Sequence, residues 1–224
     1  VVVRKDILRA NLAQRYPTLT GKTIDQAVER IAGPEGQNTL GRNRTLHVDL
    51  LARGFELTID VERTRPMAAE PRVPYNAGLR ALPADDRKVF HIHPVDWEHP
   101  EKNDFLVVNQ LPISGSNDRR PDILIFVNGL PLVLFELKNP WAEEPTVDHA
   151  FNPIQHYAVE LPRLFEFNAF CVLSDGNSAL HGMWSSGMEW YGPWKSIDGR
   201  HVEPGKTGSM KTLISGLFPR ERLL

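Results

Sequence analysis

Charged side chains are costly inside apolar strands and seldom accidental there. One segment carries three of them, Asp122, Glu136 and Lys138: Pro121-Asp122-Ile-Leu-Ile-Phe-Val-Asn-Gly-Leu-Pro-Leu-Val-Leu-Phe-Glu136-Leu-Lys138. Asp122 opens one apolar run. Glu136 and Lys138 close the next, two residues apart and therefore on one face of a strand. Two adjacent carboxylates repel each other unless a proton or a cation separates them. Hard oxygen donors in low number, with room for water, suit Mg²⁺ or Mn²⁺. A dication held there would polarise a phosphoryl oxygen and acidify a bound water, and Lys138 could orient that water or stabilise developing charge. This is the chemistry of phosphodiester hydrolysis. A strand end bearing three solvated charges accounts for the same bare pattern, because short Asp…Glu-x-Lys matches arise by chance.

Whether the two carboxylates meet depends on the hairpin between them. Asn128-Gly129 is a two-residue turn signal. A clean two-residue loop pairs Val127 with Leu130 and Asp122 with Phe135, which leaves Glu136 on the opposite face. A three-residue loop, or one β-bulge, pairs Asp122 with Glu136 instead, roughly 5 Å apart at Cβ. A shared site therefore predicts an odd-numbered loop or a bulge.

The elements that must position this hairpin are legible around it. Phe105–Val108, Ile123–Val127, Leu132–Phe135 and Phe170–Leu173 are short apolar runs bounded by Pro, Gly, Asn or Asp, and Ala179–Trp184 reads as a fifth strand. Ala150, Ile154, Tyr157, Ala158 and Leu161 form a helical stripe between the third and fourth runs, implying a right-handed parallel crossover. Pro153 lies in that stripe. Either it kinks one helix from about Thr146 to Glu160, or Asn152 caps a shorter helix with Pro153 in its first turn. Val147 and Ala150 extend the stripe and favour the longer helix. Upstream, Ile7–Tyr16 and Thr23–Ile31 read as amphipathic helices closed by Pro17 and Gly33-Pro34. Leu46–Gly54 reads as a third helix, Phe55–Val61 as a strand, and the proline-rich stretch Arg65–Arg87 as a long surface loop. The expected architecture is an α/β domain: a mixed sheet of four to five strands, a hairpin bearing the charges, and flanking helices.

The 224 residues are 41% apolar and 24% charged, the balance of an ordinary globular protein. No run approaches a membrane span, and the start lacks a signal-peptide pattern. One cysteine, Cys171, fits a reducing compartment. The net charge of −2 does not by itself announce a polyanionic partner. Residues 1–100 hold 15 Lys and Arg against 13 Asp and Glu, and the remainder hold 11 against 15. The chain opens without Met and closes on an apolar-periodic run, so it reads as part of something longer.

Pro121-Asp122 followed by Glu136-Leu-Lys138 resembles the PD-(D/E)xK nuclease signature. The surrounding text is more specific: Asn103-Asp-Phe-Leu-Val-Val-Asn-Gln110, Arg119 through Pro140, Ala150-Phe-Asn152, Ser174-Asp-Gly176, Gly33-Pro-Glu-Gly36 and the closing Gly216-Leu-Phe. These resemble the N-terminal nuclease domain of the restriction (R) subunit of type I restriction–modification enzymes. The resemblance implies a PD-(D/E)xK, restriction-endonuclease-like core. It makes Asp122 and Glu136 metal ligands for Mg²⁺ or Mn²⁺, Lys138 the catalytic lysine, and the Leu137 carbonyl a further ligand. It also implies ATP-driven helicase-like motor domains elsewhere in the same chain, modification (methyltransferase) and specificity subunits that read the DNA, and a prokaryotic cytoplasm. ATP would act only through those other domains. Residues 1–100 are then a helical part with a proline-rich loop packed on the core, 101–200 the nuclease core, and 201–224 a linker toward the motor.

Two departures from the family pattern stand out. A Gln four residues before a helical Tyr commonly supports the site, but Pro153 holds that position before Tyr157, leaving Gln155 as the nearby glutamine. An acidic residue on a helix upstream of the core is also expected, and the chain is read as beginning after it. Arg119 and Arg120 are candidates for phosphate contacts, with Gln155 and Tyr157 as supporting residues. His91-Ile-His93 with Asp96, Glu98 and His99 mimics a transition-metal cluster, but Pro94 and Pro100 break its register. Gly205-Lys206-Thr207 lacks the upstream glycine of a phosphate-binding loop. Ser174-Asp175-Gly176 reads as a strand-ending turn, and Trp184, Trp190 and Trp194 read as packing more readily than as base-stacking platforms. Alternatives to the restriction-subunit reading are a stand-alone repair nuclease of the same superfamily and a catalytically silent DNA-holding module.

Overall fold

A computed structural model of the chain describes residues 2–33, 38–60, 87–138, 147–204 and 208–224. Its centre is a five-stranded mixed sheet in the order β3-β4-β5-β6-β7. These strands span β3 Phe105–Asn109, β4 Ile123–Val127, β5 Leu130–Leu137, β6 Phe170–Ser174 and β7 Ala179–Gly182. Adjacent strands are antiparallel except β5 and β6, which run parallel. That exception is what the crossover length demanded, since parallel neighbours cannot be joined by a hairpin. The connection carries α4 (Val147–Glu160) and a short α5 (Pro162–Phe165). Pro153 sits inside α4, so the longer of the two anticipated helices is the one formed.

The hairpin between β4 and β5 combines a two-residue turn with a bulge. Val127 pairs with Leu130 across Asn128-Gly129, whose φ values of 50° and 80° lie in the left-handed region the turn requires. The register then shifts between Ile125 and Phe126, so that Phe126 faces Pro131 while Ile125 faces Val133. Leu132 is the extra residue. Pro131 has no N–H to give the ladder, which makes this a natural place for the irregularity. The Leu132 carbonyl is taken up instead by the Ala169 N–H at 2.7 Å. Leu132 and its neighbour Val133 consequently join the same core cluster, although ordinary alternation would send them to opposite faces.

Each face of the sheet is covered. On one side, Leu124, Phe126 and Leu134 pack with Ala150, Ile154, Tyr157 and Leu161 of α4. On the other, Ile125, Val127, Val133 and Phe135 pack with the N-terminal part of the chain. That part comprises α1 (Lys5–Arg15), α2 (Gly21–Ala32), α3 (Thr39–Arg44) and the antiparallel ribbon β1 (Phe55–Asp60) and β2 (Arg87–Ile92). Leu8 and Leu12 of α1 and Ile24, Ala27 and Ile31 of α2 are buried in this second cluster. The Thr20 hydroxyl caps α2, accepting from the Thr23 N–H at 3.3 Å.

The third helix differs from the expectation of Leu46–Gly54. It begins earlier, at Thr39, where the Asn38 side chain accepts from the Gly41 N–H at 2.9 Å, and it continues through a π-helical segment, Thr45–Leu51. Its first half, Thr-Leu-Gly-Arg-Asn-Arg, has no apolar stripe to announce it. Asn43 holds it instead, donating to the carbonyls of Phe165 (2.8 Å) and Asn168 (2.7 Å). Strand β2 (Arg87–Ile92) begins at the last residue of the anticipated proline-rich loop, Arg65–Arg87, and no strand is anticipated over 88–92. Of that loop only Arg87 lies within the described residues. Residues 210–224, anticipated as linker, contain α6 (Met210–Leu217) and α7 (Arg220–Leu223), and Leu213 is buried in the same cluster as α1 and α2.

Candidate active site

The bulge decides where the charges go. With Ile123 facing Phe135, the next pair in register is Asp122 and Glu136, at the end of the hairpin away from the Asn-Gly turn. Glu136 shares its face with Leu134 and with α4, which brings Tyr157 to it. Glu136 is 6% exposed. Its Oε1 accepts from Lys138 Nζ at 3.3 Å and its Oε2 from the Tyr157 hydroxyl at 3.3 Å. Burial, followed by the Asp122 charge, pushes the Glu136 carboxyl above the usual carboxylate range, against a smaller pull from Lys138 and Tyr157. Burial, then the charge of Glu136, raises the Tyr157 phenol, so it stays a protonated donor at neutral pH.

Asp122 is held from two strands. Its Oδ2 accepts from the Leu137 N–H at 2.7 Å, and its Oδ1 from Gln110 Nε2 at 2.5 Å. Lys138 is fixed at its main chain by a bond from its N–H to the Ser174 carbonyl at 2.8 Å. Asp122, Glu136, Leu137, Lys138 and Tyr157 therefore converge. Gln110 joins them without having been assigned a role from sequence, although it ends the quoted Asn103–Gln110 motif. Its signal was faint: a polar residue closing an apolar run just before Leu111-Pro112.

The other candidates lie elsewhere or are otherwise occupied. Gln155 points away and donates to the Trp184 carbonyl at 3.1 Å. Arg119 is paired with Glu160 at the end of α4, its Nη2 meeting Oε1 at 2.7 Å, and this pair draws the Glu160 carboxyl down to about 2. Arg120 is exposed. Among the described residues no three His, Cys, Asp or Glu side chains gather as a metal-holding group. His91 and His93 lie 4.7 Å apart with their rings tilted by 50°, His91 Nε2 meets the Arg53 carbonyl, and His99 pairs with Asp96 at 3.4 Å. Asp175 closes the turn after β6 by accepting from the N–H groups of Asn177 and Ser178. Trp184 rests on Phe165 and Trp194 on His181, while Trp190 is 75% exposed. Cys171 is fully buried. Gly205–Thr207 lies outside the described residues.

The donor set fits a hard dication. Extending the register one step beyond Ile123 and Phe135 brings Asp122 to Glu136, whose carboxyl feels the Asp122 charge, and a positive charge between the two would relieve the burial of Glu136. Asp122, Glu136 and the main chain at Leu137 are the groups on hand to hold it, with water completing its shell.

No helix among the described residues is long and apolar enough to cross a membrane. Residues 73–186 match the family model described as type I restriction enzyme R protein N terminus. Over its full length the chain is 38% identical to the type I restriction enzyme HindI endonuclease subunit of Haemophilus influenzae, covering 19% of that protein. It is 29% identical, over 62% of its own length, to the putative type I restriction enzyme MjaIXP endonuclease subunit of Methanocaldococcus jannaschii, covering 15% of that protein. It is also 33% identical, over 43% of its length, to the type I restriction enzyme EcoprrI endonuclease subunit of Escherichia coli, covering 31% of it. The chain thus spans about a fifth of the length of the first of these relatives and less of the second. With the match running through the hairpin, α4 and β7, the chain belongs to the family of type I restriction enzyme R protein N termini.

Proposed function

We propose that the chain is the nuclease domain of a type I restriction enzyme R subunit, with a PD-(D/E)xK-like core that cleaves double-stranded DNA by metal-dependent phosphodiester hydrolysis. The observation supporting this reading is the bulged register, which pairs Ile123 with Phe135 and so brings the next residues, Asp122 and Glu136, together, with Lys138 Nζ 3.3 Å from the buried carboxylate. Mg²⁺ or Mn²⁺, when bound, supplies Lewis-acid activation of the phosphodiester and of water. Asp122 and Glu136 hold the cation, aided by the main chain at Leu137. Lys138 stands where its ammonium stabilises negative charge developing on the phosphorus oxygens, and Tyr157 keeps Glu136 oriented through its hydroxyl. Arg119 and Arg120 are assigned to phosphate contacts, with Arg119 leaving Glu160 to make them.

The domain works in a prokaryotic cytoplasm within an ATP-dependent assembly of modification and specificity subunits. The motor lies in other parts of the same polypeptide. Sequence choice belongs to the partners, which is why a near-neutral nuclease domain suffices. In the assembled enzyme, Lys138→Ala should abolish DNA cleavage and leave ATP hydrolysis intact. Cleavage by Lys138→Ala complexes would overturn the assignment.

A further inference from the structure

Among the described residues, two non-glycine residues have a positive φ, Asn128 at 50° and Gln110 at 52°. The tight turn explains Asn128. Gln110 is different, because it directly follows edge strand β3 and is not of a type that tolerates the left-handed region well. Glycine would hold this backbone with less strain. Two bonds to one residue hold it there instead. The Gln110 N–H donates to the Asp122 carbonyl at 2.9 Å, and Gln110 Nε2 donates to Asp122 Oδ1 at 2.5 Å. The second Asp122 oxygen accepts from the Leu137 N–H at 2.7 Å. The carboxylate is therefore held by the residue that follows β3 on one oxygen and by β5 on the other. Each oxygen keeps a lone pair for another partner. Strain that persists beside a reactive centre, over-determined by contacts to that centre, points from the outlier to a role.

We infer that Gln110 is a positioning residue for cation binding: its amide presets the Asp122 carboxylate toward Glu136, so that a dication meets an arranged pair rather than a mobile side chain. This rests on the nuclease reading above. A side chain stands where glycine would be easier, and the exposed Gln110 side chain has Asp122 as its hydrogen-bond partner, which is what the strain sustains.

The test uses the full-length subunit, titrated with Mn²⁺ by calorimetry without DNA and then assayed for cleavage against Mn²⁺ concentration in the assembled enzyme. Gln110→Met keeps the length of the side chain and removes the donor. Gln110→Gly removes the side chain and relieves the backbone. Both should weaken Mn²⁺ binding about tenfold or more, the usual effect of losing a partner that orients a ligand. Cleavage should recover toward wild type at raised Mn²⁺, and Gln110→Gly should unfold at the wild-type temperature or above it. A Gln110→Gly protein that binds Mn²⁺ like wild type would overturn the inference, reducing Gln110 to a backbone role, while leaving the nuclease reading in place. If wild type binds no Mn²⁺, or Asp122→Ala binds it equally well, the nuclease reading falls and the inference with it.

Discussion

Replacing Asn128 tests whether the turn of the hairpin that bears Asp122 and Glu136 is a surface loop or a piece of core. Asn128 is completely buried. Its amide nitrogen donates to the Pro94 carbonyl and to Asn103 Oδ1, each at 2.8 Å, and its oxygen accepts from the Asp104 N–H at 2.8 Å. At about 1 kcal/mol per bond, losing all three in Asn128→Gly costs about 3 kcal/mol. The glycine tolerates φ of 50° freely, whereas alanine adds roughly 1–2 kcal/mol of left-handed strain, so Asn128→Ala should cost about 4–5 kcal/mol. For a chain of this size the glycine variant corresponds to a drop in Tm of roughly 6–12 °C. Thermal unfolding followed by circular dichroism reads the shift, and urea titration gives the difference between the two variants. Asp122 lies six residues from the turn, about 20 Å along the strand, so cleavage per folded molecule should be unchanged at low temperature. Equal losses for glycine and alanine, or a loss below about 1 kcal/mol for either, would refute the reasoning.

Tyr157→Phe removes a donor to Glu136 Oε2 while keeping the ring in the core, and should weaken metal binding about tenfold with near-normal unfolding. Unchanged Mn²⁺ affinity would show that Tyr157 only packs. Glu160, paired with Arg119 and Asn117, titrates near 2 rather than at its ordinary 4.5. Because its folded value is depressed, its contribution to stability is present above about 4.5 and is lost as pH falls toward 2. Glu160→Gln should therefore unfold more easily than wild type at neutral pH and converge with it in acid, and a gap that does not close in acid would contradict the ion pair as its source.

The hairpin was readable because side-chain alternation has a period of two: Asp122 and Glu136 can share a face only if one extra residue is accommodated, and Leu132 is that residue. The four apolar runs and the α4 stripe were readable because burial demands them. What escaped lacks periodicity. Thr39–Arg44 is held by the Asn43 amide reaching carbonyls more than a hundred residues away, and β2 carries a largely exposed pattern that alternation cannot distinguish from loop. The site was legible in its charged members and not in Gln110, whose contact to Asp122 arises from the pairing of β3 with β4 and not from spacing. Gln155 and Tyr157 looked alike in sequence, yet a difference of two positions turns one toward Trp184 and the other toward Glu136.

The single parallel pairing also governs how the chain reaches this state during synthesis. Strands β3, β4 and β5 are consecutive antiparallel neighbours and can form as soon as Leu137 leaves the ribosome. The second edge of β5 waits for Phe170, 33 positions later, because its partner arrives only after the crossover. In that interval Leu132, Val133, Leu134 and Phe135 present an open, apolar edge, the kind of surface that recruits other nascent strands. The geometry that gathers Asp122, Glu136 and Tyr157 thus leaves β5, the strand bearing Glu136, open to mispairing before α4 closes over it.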